Sequence, residues 1–107
     1  MHVEISTNRP TAADEQAEWQ KLVETRLNRF SSRLTRCEVH VNIVGSNAEC
    51  RLEARPAGRD PVAVTATTAA AATSVREATV KLSHMLDTLF GKADSVRSGP
   101  SASGLST

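Results

Sequence analysis

Two runs of strict alternation, broken by Gly45-Ser46-Asn47, constrain this chain more than any other feature. Over 37–44, Val39, Val41 and Ile43 alternate with Glu38, His40 and Asn42; over 48–55, Cys50, Leu52 and Ala54 alternate with Glu49, Arg51, Glu53 and Arg55. A period of two gives each run one apolar and one polar face, and the break between them predicts a hairpin. With Ser46 and Asn47 as a two-residue loop, Ile43 faces Cys50, Val41 faces Leu52 and Val39 faces Ala54. Outside, Glu38 then meets Arg55 and His40 meets Glu53, pairs that neutralise one another. The same register holds Cys37 about six residues from Cys50, some 20 Å, beyond disulfide reach. These two cysteines are the whole complement. They are expected as buried free thiols, as in a reducing compartment.

A one-sided sheet must bury its apolar face, and two helical patterns supply the cover. Trp19, Leu22, Val23, Leu27, Phe30 and Leu34 recur at spacings of three and four, predicting a helix over 12–33, with Thr11 and Asp14 as a weakened capping box. Arg26, Arg29, Arg33 and Arg36 keep similar spacings and form a second stripe roughly 80° round that helix. Like charges so placed repel unless an anion is present, a first hint of a partner. The stripe also reads as a solvated helix end, because Asp14, Glu15, Glu18 and Glu24 precede it in the order the macrodipole favours. A second helix over 68–90 carries Ala71, Val75, Ala78, Leu82, Met85, Leu86 and Leu89, and Gly91 ends it. Its start is at Thr68, or at Ser74 with Glu77 as a capping box. Short strands at 2–6, with Val3 and Ile5 inward, and at 62–67, with Val62, Val64 and Ala66 inward, complete the order β-α-β-β-β-α. The expected class is α+β: two layers, a four-stranded sheet with both helices on one face. Strand one should run parallel to strand two, and the rest form a meander. Residues 1–92 form this domain; 93–107, polar and rich in Gly and Ser, are expected as a disordered tail.

Charge and chemistry narrow the function. Thirteen basic and twelve acidic residues leave a net charge of +1, so no global field steers the chain to nucleic acid or membrane and any such binding is local. No apolar run approaches the roughly 20 residues of a membrane span, and the N-terminus lacks a signal-peptide core, which points to the cytoplasm. His2, His40 and His84 fall on a strand end, a strand's outer face and a helix's outer face. They make no catalytic grouping with Ser, Cys or Asp, and no metal-ligand spacing occurs. Gly58 and Gly91 stand alone, so there is no phosphate loop. No enzyme activity, cofactor, metal or small-molecule substrate is expected. Trp19 and Phe30 read as core. His84 shares an outward line with Lys81, Thr88 and Lys92, so below about pH 6.5 its protonation would add charge there.

Leu27-x-x-Phe30-x-x-Arg33-Leu34 leads directly into the strand CEVHVNIV; Val62-Ala63-Val64-Thr65-Ala66 feeds an alanine-rich helix start; Val75 and Lys81-Leu82 follow. In this order the features resemble the bacterial ribosome hibernation-promoting factor and ribosome-associated inhibitor family, in a short and divergent form, over about residues 1 to 92. The resemblance implies a fold like that of double-stranded RNA-binding domains. It also implies binding of a free monomer to the small ribosomal subunit in the channel used by messenger and transfer RNA, halting translation in resting, stationary-phase or stressed cells. By position, Arg26, Arg33 and Lys81 would contact rRNA phosphates. Arg29 and Arg36 join them from the stripe, and His84 and Lys92 from the second helix. Arginine's planar fork suits phosphate, and shape reading needs no base-specific groups. Where the family is rich in lysine and arginine, at the end of the second helix, this chain has Ser83-His84-Met85-Leu86-Asp87-Thr88-Leu89-Phe90, and Glu24 interrupts the first. Fewer phosphate contacts imply weaker, less salt-sensitive binding. The alternative is a divergent member kept as a protein-interaction or regulatory module without ribosome binding.

Overall fold

A computed structural model of the chain describes the backbone of residues 1–98 and the side chains of 1–91. Its elements are β1 (His2–Thr7), α1 (Ala13–Leu27), a 3-10 turn (Asn28–Phe30), β2 (Leu34–Val44), β3 (Asn47–Pro56), β4 (Val62–Thr68) and α2 (Ala71–Ser98). The strands form one sheet in the order β1-β2-β3-β4, with β1 parallel to β2 and the other pairs antiparallel. The α+β class and the β-α-β-β-β-α order therefore stand as expected. The inner sheet face contributes Val3, Cys37, Val39, Val41, Cys50, Leu52, Ala54 and Ala66 to a core completed by Trp19, Val23 and Leu27 of α1 and by Val75, Ala78, Leu82, Leu86 and Phe90 of α2. Both cysteines are buried and free. Burial pushes the Cys37 thiol up to about 11 and the Cys50 thiol up to about 12, with Glu49 adding to the second.

The hairpin register differs from expectation by two residues. Val44 pairs with Asn47, so Ile43 faces Ala48, Val41 faces Cys50 and Val39 faces Leu52. The loop is Gly45-Ser46, in which Gly45 alone takes a positive φ, 60°. That is the type II′ pattern, which calls for glycine at the first loop position. An even shift keeps the apolar faces together but changes every outer pair: Glu38 now opposes Glu53, and His40 opposes Arg51. Cys37 lies four residues along β2 from the partner of Cys50, about 13 Å at strand rise, still beyond disulfide reach.

Both helices depart from their expected ends. α1 stops at Leu27, where the chain tightens into the 3-10 turn; Ser31 N–H donates to Asn28 C=O (3.0 Å) and Arg33 N–H to Phe30 C=O (2.8 Å). Phe30 and Leu34 still reach the core, one from the turn and one from β2. Apolar spacing does not distinguish that path from one long helix. No side chain caps α1 at Ala12; the Thr11 hydroxyl donates instead to Arg9 C=O (3.1 Å), so the capping box does not form. At the start of α2 the Thr68 hydroxyl accepts from Ala70 N–H (3.2 Å). Ser74 is buried, and its hydroxyl donates to Ala48 C=O (2.6 Å), so it is a tie to β3 rather than a cap. α2 passes Gly91 without a left-handed residue and runs to Ser98. Of the tail expected over 93–107, the side chains and everything after 98 lie outside the described residues.

Candidate functional site

One end of the molecule gathers arginine on aromatic rings. Phe30 from the 3-10 turn and Phe90 from α2 pack with centroids 5.9 Å apart and planes at 38°. The Arg29 guanidinium lies 4.4 Å above Phe30. It also forks onto Asp87, with Nη2 donating to Oδ2 (2.7 Å) and Nη1 to Oδ1, and Nη2 reaches Ser83 Oγ at 3.0 Å. The fork holds the Asp87 carboxyl below its ordinary range, with nearby His84 adding to the effect, and raises Arg29 in turn. On Phe90 two further guanidinium groups converge, Arg33 at 4.9 Å and Arg59 at 5.7 Å from its centroid. Such contacts each contribute about 0.5–1 kcal/mol at exposed sites, and they hold the side chains in place.

The expected stripe Arg26, Arg29, Arg33, Arg36 is thus distributed over four settings. Arg26 is on α1, exposed, beside a shallow groove of about 310 Å³ that it lines with Glu18, Lys21, Leu22 and Thr25. Arg29 belongs to the 3-10 turn, and Arg33 to the connection into β2. Arg36 lies in β2 on the sheet face away from the helices, ion-paired to Glu4, with its Nε 3.1 Å from Glu38 Oε2. On α2, Lys81 turns toward the sheet edge, where its Nζ donates to Thr65 C=O of β4 (2.9 Å), and His84 is exposed. The side chain of Lys92 lies outside the described residues. Phe90 is buried, at 7 % exposure.

Sequence reasoning missed Arg59. Pro56-Ala57-Gly58-Arg59 is a turn closed by Arg59 N–H donating to Pro56 C=O (3.3 Å), with Gly58 at φ 73°, the type II pattern. The signal was present as Ala57-Gly58 after a strand. What tied it to Arg33 was tertiary: Leu34 pairs with Pro56, and Ala57 N–H donates to Arg33 C=O (2.9 Å).

The outer sheet face is charged but self-compensating. Its register sets His2, Arg36 and Arg55 in one row, Glu4, Glu38 and Glu53 in the next, and Ser6, His40 and Arg51 in a third. Glu38 is central, reached by Arg36, by Arg55 Nε (3.8 Å) and by His40 Nε2 (3.4 Å). His40 Nδ1 shares a hydrogen bond with Ser6 Oγ (2.7 Å). Hydrogen bonding from Arg36 lowers the Glu4 carboxyl. Among the described residues no three His, Cys, Asp or Glu gather to hold a metal ion, and no helix is long and apolar enough to cross a membrane.

No family model matches the sequence, and no curated protein matches it. Solved structures do match. A ribosomal subunit interface protein from Coxiella burnetii superposes with a TM-score of 0.71 at 14% identity, over 85% of this chain and 99% of that one. The chain has the fold of that protein. The N-terminal domain of Protein Y from Thermus thermophilus gives 0.68 at 16% identity, over 82% of this chain and 94% of that one. The shared part is therefore nearly the whole of both neighbours, and what they have in common with this chain at such identity is the path of the backbone.

Proposed function

We propose that this domain binds the small ribosomal subunit through rRNA phosphates and acts by occupancy, standing in the tRNA and mRNA path of resting or stressed cells, in the cytoplasm. The observation that carries the reading is the end-to-end likeness to a ribosomal subunit interface protein. The arginine-rich end supports it, because guanidinium groups fixed on rings meet phosphate with little further loss of freedom. In this reading Arg26, Arg29, Arg33, Lys81, His84 and Lys92 face the RNA. Arg36, held by Glu4 and Glu38 on the far side of the sheet, would contribute only if that face also met RNA.

A second reading, a protein-interaction module, is favoured by the carboxylates already attached to Arg29 and Arg36 and by the net charge of +1. Co-sedimentation with separated ribosomal subunits at low and moderate salt separates the two. We expect recovery with the small subunit that falls steeply as salt rises, and at least tenfold weaker in Arg26→Glu/Arg33→Glu with the fold intact by circular dichroism. A folded protein that stays in the supernatant at every salt, or pellets with no salt dependence, would reject the phosphate reading.

A further inference from the structure

We infer that Arg59, Asp60 and the groove beside them form a seat for one ribonucleotide, in which Arg59 takes a backbone phosphate and Asp60 accepts from the adjoining 2′-hydroxyl. The inference rests on the proposed RNA-facing role and deepens it by naming the residues that read the sugar. All its parts come from one short connection and the helix beneath it. The type II turn, closed by Arg59 N–H donating to Pro56 C=O, holds Gly58 at φ 73° and sends Arg59 back over α2, where its guanidinium lies 5.7 Å from the Phe90 centroid. Among the described residues no carboxylate forms an ion pair with Arg59, whereas Arg29 is already forked onto Asp87 and Arg36 is paired with Glu4. The ring orients the guanidinium and leaves its N–H donors to an external oxyanion. Beside it lies a groove of about 420 Å³ lined by Gly58, Arg59, Asp60, Pro61, Val62 and Leu89.

Asp60 decides what the groove is for. A site built only to hold phosphate has no use for a carboxylate, which repels the ligand. Beside a ribose the same carboxylate has a donor to accept from, the 2′-hydroxyl, and Pro61, Val62 and Leu89 offer an apolar wall to the C–H faces of the sugar. The 2′-hydroxyl of a nucleotide stands next to its own 3′-phosphate, so two residues adjacent in sequence, both exposed, suffice to meet the pair. Deoxyribose lacks that donor, and the seat therefore selects RNA over DNA. A protein carboxylate carries no such hydroxyl beside its charge, which favours RNA over an acidic protein as the occupant.

The probes are two fluorescent RNA duplexes of one sequence and about 16 base pairs, one native and one with every 2′-hydroxyl methylated, titrated with the full chain by anisotropy between about 50 and 200 mM salt. Methylation keeps the phosphates and the A-form helix and removes the proton that Asp60 accepts. We expect the wild type to bind the native duplex about fivefold more tightly than the methylated one. Asp60→Ala should bring the two affinities together, whatever it does to either alone. Arg59→Gln should weaken binding of both about tenfold at low salt and lower the slope of log K against log salt by about 0.9, one phosphate. Arg59→Lys keeps the charge and loses the fork, so affinity should fall several-fold while the slope is retained. Both positions are exposed in a turn, and circular dichroism checks that the variants fold; the wild-type comparison of the two duplexes needs no variant at all. Equal binding of the two duplexes by the wild type, or discrimination that survives in Asp60→Ala, would overturn the 2′-hydroxyl contact and the seat with it. Unchanged affinity in Arg59→Gln, or no binding of either duplex, would overturn the seat as well. Any of those failures in a protein that still pellets with the small subunit would reject the seat and leave the ribosomal reading in place. Duplex binding with the expected dependences in a protein that does not pellet with ribosomes would leave the seat standing and reject the ribosomal partner.

Discussion

The outer sheet face and the aromatic end use the same side chain in opposite ways. On the sheet, Arg36 and Arg55 approach Glu38, and Arg36 also pairs with Glu4, so rows of opposite sign cancel within the molecule. At the aromatic end, Arg59 lies over Phe90, a surface that orients a guanidinium without neutralising it, and among the described residues no carboxylate forms an ion pair with Arg59. A ring contact leaves the charge available to an external anion, and a carboxylate contact largely does not. The number of arginines on a surface is therefore a poor guide to where phosphate would bind. What lies beneath each one decides.

The largest expected effect comes from removing the floor. Phe90→Ala deletes a buried ring that packs on Phe30 and underlies two guanidinium groups. Truncation of a buried phenylalanine costs about 3–5 kcal/mol, a large part of the total stability of a domain this size. Urea unfolding should show it as a lower midpoint at unchanged slope. If a variant still folded at low temperature bound RNA as well as the wild type, the ring would be packing alone, and the contrast between the two faces would lose its physical basis.

A smaller and more specific effect is expected at the turn. Gly58 has φ 73° and open space where a Cβ would go, so the cost of a side chain there is backbone strain and not collision. Gly58→Ala should lose about 1–2 kcal/mol and weaken RNA binding by displacing Arg59. Gly58→Asn, which tolerates this conformation, should recover most of both. Recovery of stability without recovery of binding would mean that the turn does not aim Arg59 at the ligand.

These residues also mark where the sequence stopped being informative. The order of elements, the inner faces of all four strands and the separate burial of Cys37 and Cys50 were legible, since each follows from a local period. The register was not, because Gly45-Ser46 and Ser46-Asn47 loops give the same inward faces and only the positive φ at Gly45 decides between them. The helix end at Leu27 was not, because Phe30 and Leu34 keep helical spacing while reaching the core from a turn and a strand. That misreading carried Arg36 onto a helix when it belongs to the sheet. It also hid Arg59, whose neighbour Arg33 is distant in sequence and close only through the pairing of Leu34 with Pro56.

The smallest expected effect tests the compensated face itself. Arg36→Gln removes the partner that lowers the Glu4 carboxyl, and leaves Glu4, Glu38 and Glu53 side by side across three strands. Because these charges are exposed, the melting temperature at neutral pH should fall by at most about 4 °C, and RNA binding should not change. The pH dependence distinguishes this ion-pair effect from lost packing. In the wild type Glu4 binds fewer protons folded than unfolded in mild acid. Its stabilisation is therefore present in full above the ordinary carboxylate range, about pH 4, and is lost as pH falls through the lowered folded value. In Arg36→Gln that source is gone at every pH, so the gap between the two proteins should be widest near neutrality and close in acid. Asp87, lowered mainly by Arg29, titrates in the same direction in both proteins and cancels in the difference. A gap that persisted in acid below the lowered folded value would mean that Arg36 stabilises the sheet through its packed stem and not its charge. A drop in RNA binding at neutral pH would mean that the compensated face also meets the ligand.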